Sequence, residues 1–167
     1  MRIVRFLSIL LLTLSLSAVA VADEGGSVVD EDLGVTVMTP DDWEINTEDS
    51  NAVASFQHPD TKSQIELIAT ELMNEEVADV FFETFHTTLE ESGFVAVSEE
   101  EETIGGLEGA LWTYEFEHSD VTLQIQVFEF LRNDVAWLVV GYADAEESDA
   151  QDETYRALIE GLEFDED

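Results

Sequence analysis

The chain has 167 residues, 45% of them hydrophobic, with 40 Asp and Glu against 5 Lys and Arg, a formal net charge of −35. That field repels phosphate and excludes nucleic acid and anionic membrane surfaces as partners, while the hydrophobic fraction is too high for a chain held open by its own charge. The absence of Cys excludes disulfides, thiolate metal sites, thiol nucleophiles and a lipid-modified cysteine.

Residues 1–22 read as an export leader. Arg2 and Arg5 form a basic start, Phe6 to Val19 is apolar apart from Ser and Thr, and Ala18, Ala20 and Ala22 are small residues spaced for signal peptidase. Cleavage is expected after Ala22. The apolar run is shorter than the roughly 20 residues of a spanning helix, and nothing later could span, so the expectation is an exported protein without stable membrane insertion. It would reside in the periplasm, cell envelope or medium. Beyond Ala22 the 40 acids face only Lys62, Arg132 and Arg156, a net −37.

The rest reads as one domain over residues 33–164, between acidic tails at 23–32 and 165–167. Val35 and Val37 alternate with Thr36 and Met38 before Pro40, a short strand. Trp43 is expected to pack back on the core after an Asp41-Asp42 turn. Ala52, Ala54 and Phe56, then Ile65, Leu67 and Ala69, alternate around His58-Pro59-Asp60-Thr61-Lys62, which predicts a hairpin with a five-residue loop. From Glu75 to Ser92 the period changes: Ala78, Phe81, Phe82, Phe85 and Leu89 form an aromatic helical stripe, with Asn74 as cap and Gly93 at the C-terminal end. Ser98 to Thr103 reads as an acidic loop and Ile104-Gly105-Gly106-Leu107 as a turn. Three strands follow at Ala110–Glu117, Val121–Leu131 and Val135–Ala143, the last apolar on both faces and therefore central. Ser148–Glu160 reads as a second helix opened by a Ser148/Gln151 capping box. The sum is α+β: an antiparallel sheet of about six strands flanked by helices.

Candidate chemistry is sparse. His58 and His118 fall in turns and His86 lies off the aromatic stripe, without metal-ligand spacing. Ser92 before Gly93 reads as helix capping, and Gly105, Gly106 and Gly109 have no following helix to offer phosphate, so they read as turn glycines. Glu115, Glu117 and Glu129 lie in strands, where a carboxylate hydrolase would need two of them across a cleft. Asp30-Glu31-Asp32 and Glu99-Glu100-Glu101-Glu102 are oxygen-rich; weak divalent-cation binding is expected there, with calcium as the alternative function, although neither run has EF-hand spacing. Phe81, Phe82, Phe85, Trp112, Trp137 and Tyr142 could line a ligand pocket, but core packing is the commoner fate of such residues. No catalytic, metal or cofactor residue is assigned.

Four stretches together carry a family likeness. They are the strand Gly34-Val35-Thr36-Val37-Met38-Thr39 running into Pro40-Asp41-Asp42-Trp43; the turn Ile104-Gly105-Gly106-Leu107-Glu108-Gly109-Ala110; the hairpin at Arg132-Asn133-Asp134; and the last helix running into Leu162-Glu163-Phe164. Over about Leu33 to Phe164 the chain resembles the PsbP-like superfamily, which includes bacterial periplasmic DcrB-type proteins and a Ran-binding nuclear import factor. The resemblance implies an α/β/α sandwich and a non-enzymatic binding or assembly role with a protein partner. It carries no shared catalytic residues.

The acids are spread along the whole chain. This favours adaptation to molar salt, where the Debye length shrinks to about 3 Å and self-repulsion is screened. The expected function is an exported, non-enzymatic binding or assembly module of the cell envelope with such a surface.

Overall fold

The computed structural model describes residues 21–22, 26–46, 52–118 and 121–165; the leader over 1–20, the connection at 119–120 and the acids at 166–167 lie outside the described residues. In chain order the elements are β1 (Val21–Ala22), β2 (Ser27–Asp30), β3 (Val35–Met38), β4 (Glu44–Ile45), β5 (Ala54–Gln57), β6 (Gln64–Glu71), α1 (Ala78–Glu91), β7 (Val95–Ile104), β8 (Leu107–His118), β9 (Val121–Arg132), β10 (Val135–Asp144), α2 (Ser148–Glu160) and β11 (Glu163–Phe164).

Seven strands form one antiparallel sheet in the order β4-β5-β6-β10-β9-β8-β7. Its centre is β10, as its two-sided apolar sequence predicts. Successive side chains of a strand point to opposite faces, so Trp137 and Val139 serve one face while Leu138 and Val140 serve the other. Two of its hairpins turn in two residues, Gly105-Gly106 and Asn133-Asp134, all at positive φ, the backbone that matches the twist of the flanking strands.

Each face carries its own core. On one, α1 covers Ile68, Tyr114, Ile125, Val127, Leu138 and Val140, contributing Leu89 with Phe81, Phe82 and Phe85 at its margin. On the other, Tyr155, Leu158 and Ile159 of α2 join Val28, Val35 and Val37 of a small second sheet over Phe56, Leu67, Phe128 and Trp137. The small sheet has the order β1-β2-β3-β11. Cleavage after Ala22 would remove β1 and leave three strands. The whole is α+β with three layers.

Several local expectations change. The acidic segment 23–32 is not a tail throughout: Ser27–Asp30 pairs with β3, and Val28 and Asp30 are buried. Asp30 tolerates burial because its Oδ1 accepts the N–H groups of Asp32 and Leu33, at 3.1 and 3.0 Å. The acidic loop at 98–103 is instead part of a ten-residue strand, with a bulge between Ala96 and Ser98. Four consecutive Glu argue against a strand by propensity, but at the sheet edge nearly all of these side chains point into solvent. The caps also differ. The first helix begins in a 3-10 turn over Glu75–Val77, and neither helix has a side-chain N-cap. Ser148 donates to the Ala145 carbonyl and Gln151 to the Gln64 carbonyl, so both expected capping-box partners bond elsewhere. The loop between β5 and β6 is six residues, 58–63.

Candidate functional site

The densest polar chemistry in the described core lies beneath α1. His86 sits four residues after Phe82 and three before Leu89, so it falls on the buried stripe and not beside it, with 9% of its surface exposed. Its Nδ1 lies 2.7 Å from the hydroxyl of Tyr114 and its Nε2 2.7 Å from Oε2 of Glu129. Trp112 donates its indole N–H to Oε1 of Glu129 at 3.2 Å and tilts its ring against His86, with centroids 4.3 Å apart. A neutral imidazole protonated on Nε2 satisfies every member: Tyr114 donates to Nδ1, while His86 and Trp112 both donate to Glu129.

The arrangement has the parts of a proton relay but not its access. Tyr114 is completely buried. Burial first, then the charges of Glu90, Glu129 and Glu99, push its phenol far up, so it stays protonated at ordinary pH. A nucleophile or base needs the opposite shift and a route for substrate. The sheet also separates the three strand glutamates. Ala110 stands opposite Glu129, and Glu115 and Glu117 lie an odd number of residues further along β8, so they face away from Glu129. The buried carboxylate Glu66 shares the face of the partly buried Glu129. Glu66 pairs with Val140 and Glu129 with Leu138 on either side of β10. Strand spacing puts their backbones about 12 Å apart, and each carboxylate has its own partners, Gln64 and Tyr142 for Glu66 and His86 and Trp112 for Glu129.

The other candidates disperse. His58 accepts the N–H groups of Asp60 and Thr61 on Nδ1, both at 3.3 Å, and lies edge-on to Trp43, which holds the β5–β6 loop. The side chain of His118 is outside the described residues. Ser92 donates to the Thr88 carbonyl at the helix end, and Gly93 takes positive φ there. Gly105 and Gly106 form a turn as expected, but Gly109 lies within β8, where a Cβ would stand 2.2 Å from the Glu129 carbonyl oxygen. The six aromatics cannot line one pocket, because Trp137 packs on the face opposite Phe81, Phe82, Phe85, Trp112 and Tyr142. Among the described residues, neither acidic run belongs to a group of three or more metal-ligating side chains. Strand geometry turns successive members of Glu99–Glu102 to opposite sides, and Glu102 pairs with Arg156 at 2.7 Å.

One feature has no counterpart in the sequence expectations. A cavity of about 210 Å³ opens where the β2–β3 turn, the β9–β10 turn and the end of β11 meet. Its wall includes Arg132, Trp137 and Phe164, and its rim the exposed acids Glu31, Asp32 and Asp165. Phe130 and Trp137 stack, and Phe164 stands edge-on to both. Arg132 lies over the Phe164 ring, 4.6 Å from its centroid. Among the described residues Arg132 makes no ion pair, and both its Nε and the Trp137 indole nitrogen are buried without a hydrogen-bond partner. Arg132 stands out in the sequence as one of three basic residues beyond the leader, directly before a tight turn.

No family model and no curated protein matches the chain. Solved structures do. A solution structure of cyanobacterial PsbP (CyanoP) from Synechocystis sp. superposes with a TM-score of 0.58 at 12% identity, over 90% of this chain and 98% of that one. LpqN of Mycobacterium tuberculosis, described as involved in cell envelope biogenesis, gives 0.59 at 15% identity over 84% of each chain. The chain therefore has a PsbP-like fold, as its sequence pattern implies.

Proposed function

We propose that the chain is an exported, non-enzymatic binding or assembly module of the cell envelope, with a surface adapted to high salt. The observation that carries this reading is that the fold consumes its own acid–base chemistry. His86, Tyr114, Glu129 and Trp112 satisfy one another under a helix, and Tyr114 is sealed from solvent. The likeness in fold to LpqN, described as involved in cell envelope biogenesis, supports the compartment. So does the leader at residues 1–22. Among the described residues, no helix is long and apolar enough to cross a membrane. The salt reading rests on 40 acids distributed through the chain against a single Lys. At molar salt their mutual repulsion is screened, while carboxylates keep their hydration.

The test is to express the chain with its own leader, recover it from envelope and medium in molar NaCl, and measure mature mass and assembly size by light scattering. Asp23 at the mature N-terminus and a complex that re-forms from purified components are expected. A clean monomer in every fraction would overturn the assembly reading. A melting temperature that does not rise through molar NaCl would overturn the salt reading.

A further inference from the structure

β7 closes one side of the seven-stranded sheet and has no neighbour beyond it among the described residues. We infer that its free edge, over residues 98–103, takes an extended segment of a protein partner as an added antiparallel strand, with Lys or Arg on the face that carries Glu99 and Glu101. The inference rests on the binding reading above and names the place and the chemistry of that binding.

Bonds in an antiparallel pair alternate, so every second residue of β7 turns its N–H and C=O away from β8. Ile104 and Leu107 flank a two-residue turn and form the bonded pair that closes it. The outward groups therefore belong to Thr103, Glu101 and Glu99. All three residues are exposed. Among the described residues, no backbone bond outside the β7–β8 ladder reaches residues 95–104. Sheets guard an edge by keeping it short, covering it, bending it away or charging it. β7 runs for ten residues, and its bulge lies between Ala96 and Ser98, short of this stretch. From Ser98 to Ile104 the ladder is regular, which is what strand addition requires. Charge is the guard that remains, and charge excludes selectively.

Cross-strand partners share a face. Glu99 and Glu101 lie with Trp112 and Ala110 on the α1 side, and Glu100 and Glu102 with Leu111 and Gly109 on the α2 side. Glu102 already holds the guanidinium of Arg156 at 2.7 Å, so the chain itself shows what this edge pairs with. Glu99, Glu100 and Glu101 make no ion pair among the described residues. Lys or Arg on an added strand stands about 5 Å across the ladder from Glu99 and Glu101. That pairing is made at contact and needs no long-range field. Molar salt weakens it, so the backbone bonds carry most of the hold. A second copy of this chain is the wrong occupant: a two-fold pairing over residues 98–104 sets the Glu run against itself, and like charges directly opposite are destabilising. The carboxylates thus reject acidic strands and leave a cationic one as the match.

The experiment titrates the ¹⁵N-labelled mature chain in molar NaCl with three short peptides. One alternates Lys and Val, the second is the same peptide N-methylated at its Lys residues, and the third has Glu in place of Lys. The Lys–Val peptide is expected to bind saturably, shift the amides of Glu99, Glu101 and Thr103, and slow their hydrogen exchange at least about tenfold. N-methylation keeps the charge but removes the bonding N–H groups, and should weaken binding at least about tenfold. The Glu peptide should bind at least about threefold more weakly. Glu101→Pro removes one outward N–H where an edge strand tolerates Pro, and should weaken the Lys–Val peptide about tenfold. Should that variant fail to fold, the N-methylated peptide makes the same test on the parent chain. An unprotected Glu101 amide with every peptide overturns the inference, as does equal binding of the N-methylated form. A dimer of the free chain with that amide already protected assigns the edge to a second copy and overturns it too. If the complex recovered from the envelope forms with a folded Glu101→Pro as it does with the parent, the binding reading stands and this edge is not its site.

Discussion

Replacing Glu129 is the sharpest test of the polar cluster beneath α1. Glu129→Met keeps the side-chain length but removes the acceptor shared by His86 at 2.7 Å and Trp112 at 3.2 Å. A buried donor left without a partner costs about 1–3 kcal/mol. His86 can soften the loss by moving its proton to Nδ1, but the Tyr114 hydrogen then loses its acceptor, so at least one orphan persists alongside Trp112. The expected destabilisation is about 2–4 kcal/mol, a large share of the about 5–15 kcal/mol that holds a domain. Glu129→Gln removes the same charge yet can still accept from Trp112 and, once the His86 proton moves to Nδ1, donate to Nε2; only the Tyr114 hydrogen is then orphaned, and about half the loss of Glu129→Met is expected. The comparison isolates hydrogen bonding, because both variants relieve self-repulsion equally. Urea unfolding at molar NaCl, followed by Trp fluorescence, measures both midpoints; an unchanged slope would show that compactness is unaltered. Glu129→Met within about 0.5 kcal/mol of the parent, or Glu129→Gln as damaging as Glu129→Met, would refute the reasoning.

Three further outcomes follow from the structure. Burial pushes the phenols of Tyr114 and Tyr155 up, so both stay protonated in the fold while their unfolded counterparts ionise near pH 10. Stability is therefore whole below about pH 10 and falls above it; urea midpoints that stay flat to about pH 11 would contradict this, and Tyr114→Phe should blunt the fall. Arg156 pairs with Glu102 at 2.7 Å and with Asp152 at 3.0 Å, all about one-third exposed; Arg156→Met should cost about 1 kcal/mol at low salt and less in molar NaCl, and an equal loss at both salts would count against screening. Gly109→Ala would bring a Cβ to 2.2 Å from the Glu129 carbonyl and 2.9 Å from the Phe128 ring, a clash worth about 2–3 kcal/mol; a melting temperature within a degree or two of the parent would refute it.

Elements with long, unambiguous periods were legible in the sequence. The 3.6-residue stripe of α1 and the three hairpin strands, with the two-sided apolar β10 at the centre of the sheet, all stand where their patterns put them. The likeness to the PsbP-like fold follows from the same pattern. What escaped was decided by context that a local pattern cannot hold. Glu99–Glu102 reads as loop by propensity, but an edge strand leaves those carboxylates in water. Ser27–Asp30 reads as tail by composition, but Asp30 is satisfied by its own turn. Phe85 and His86 both fit a helical face three or four residues from their neighbours, and only the facing Tyr114 and Glu129 decide that His86 turns inward. The cavity is built from segments about 30, 130 and 165 residues along the chain, a meeting no window of sequence reveals.

That last meeting also sets an order of events. Val35 finds its partner in Phe164, so a sheet begun near the front of the domain closes only through a strand at its far end. The β8–β9–β10 meander is local and can zip through its own turns, whereas such a distant pairing must first close a very long loop. The meander and α1 should thus form early, with β2, β3, β11 and the aromatic wall of the cavity completed last. For a chain threaded across a membrane from its N-terminus, this means the fold cannot lock until Phe164 has emerged.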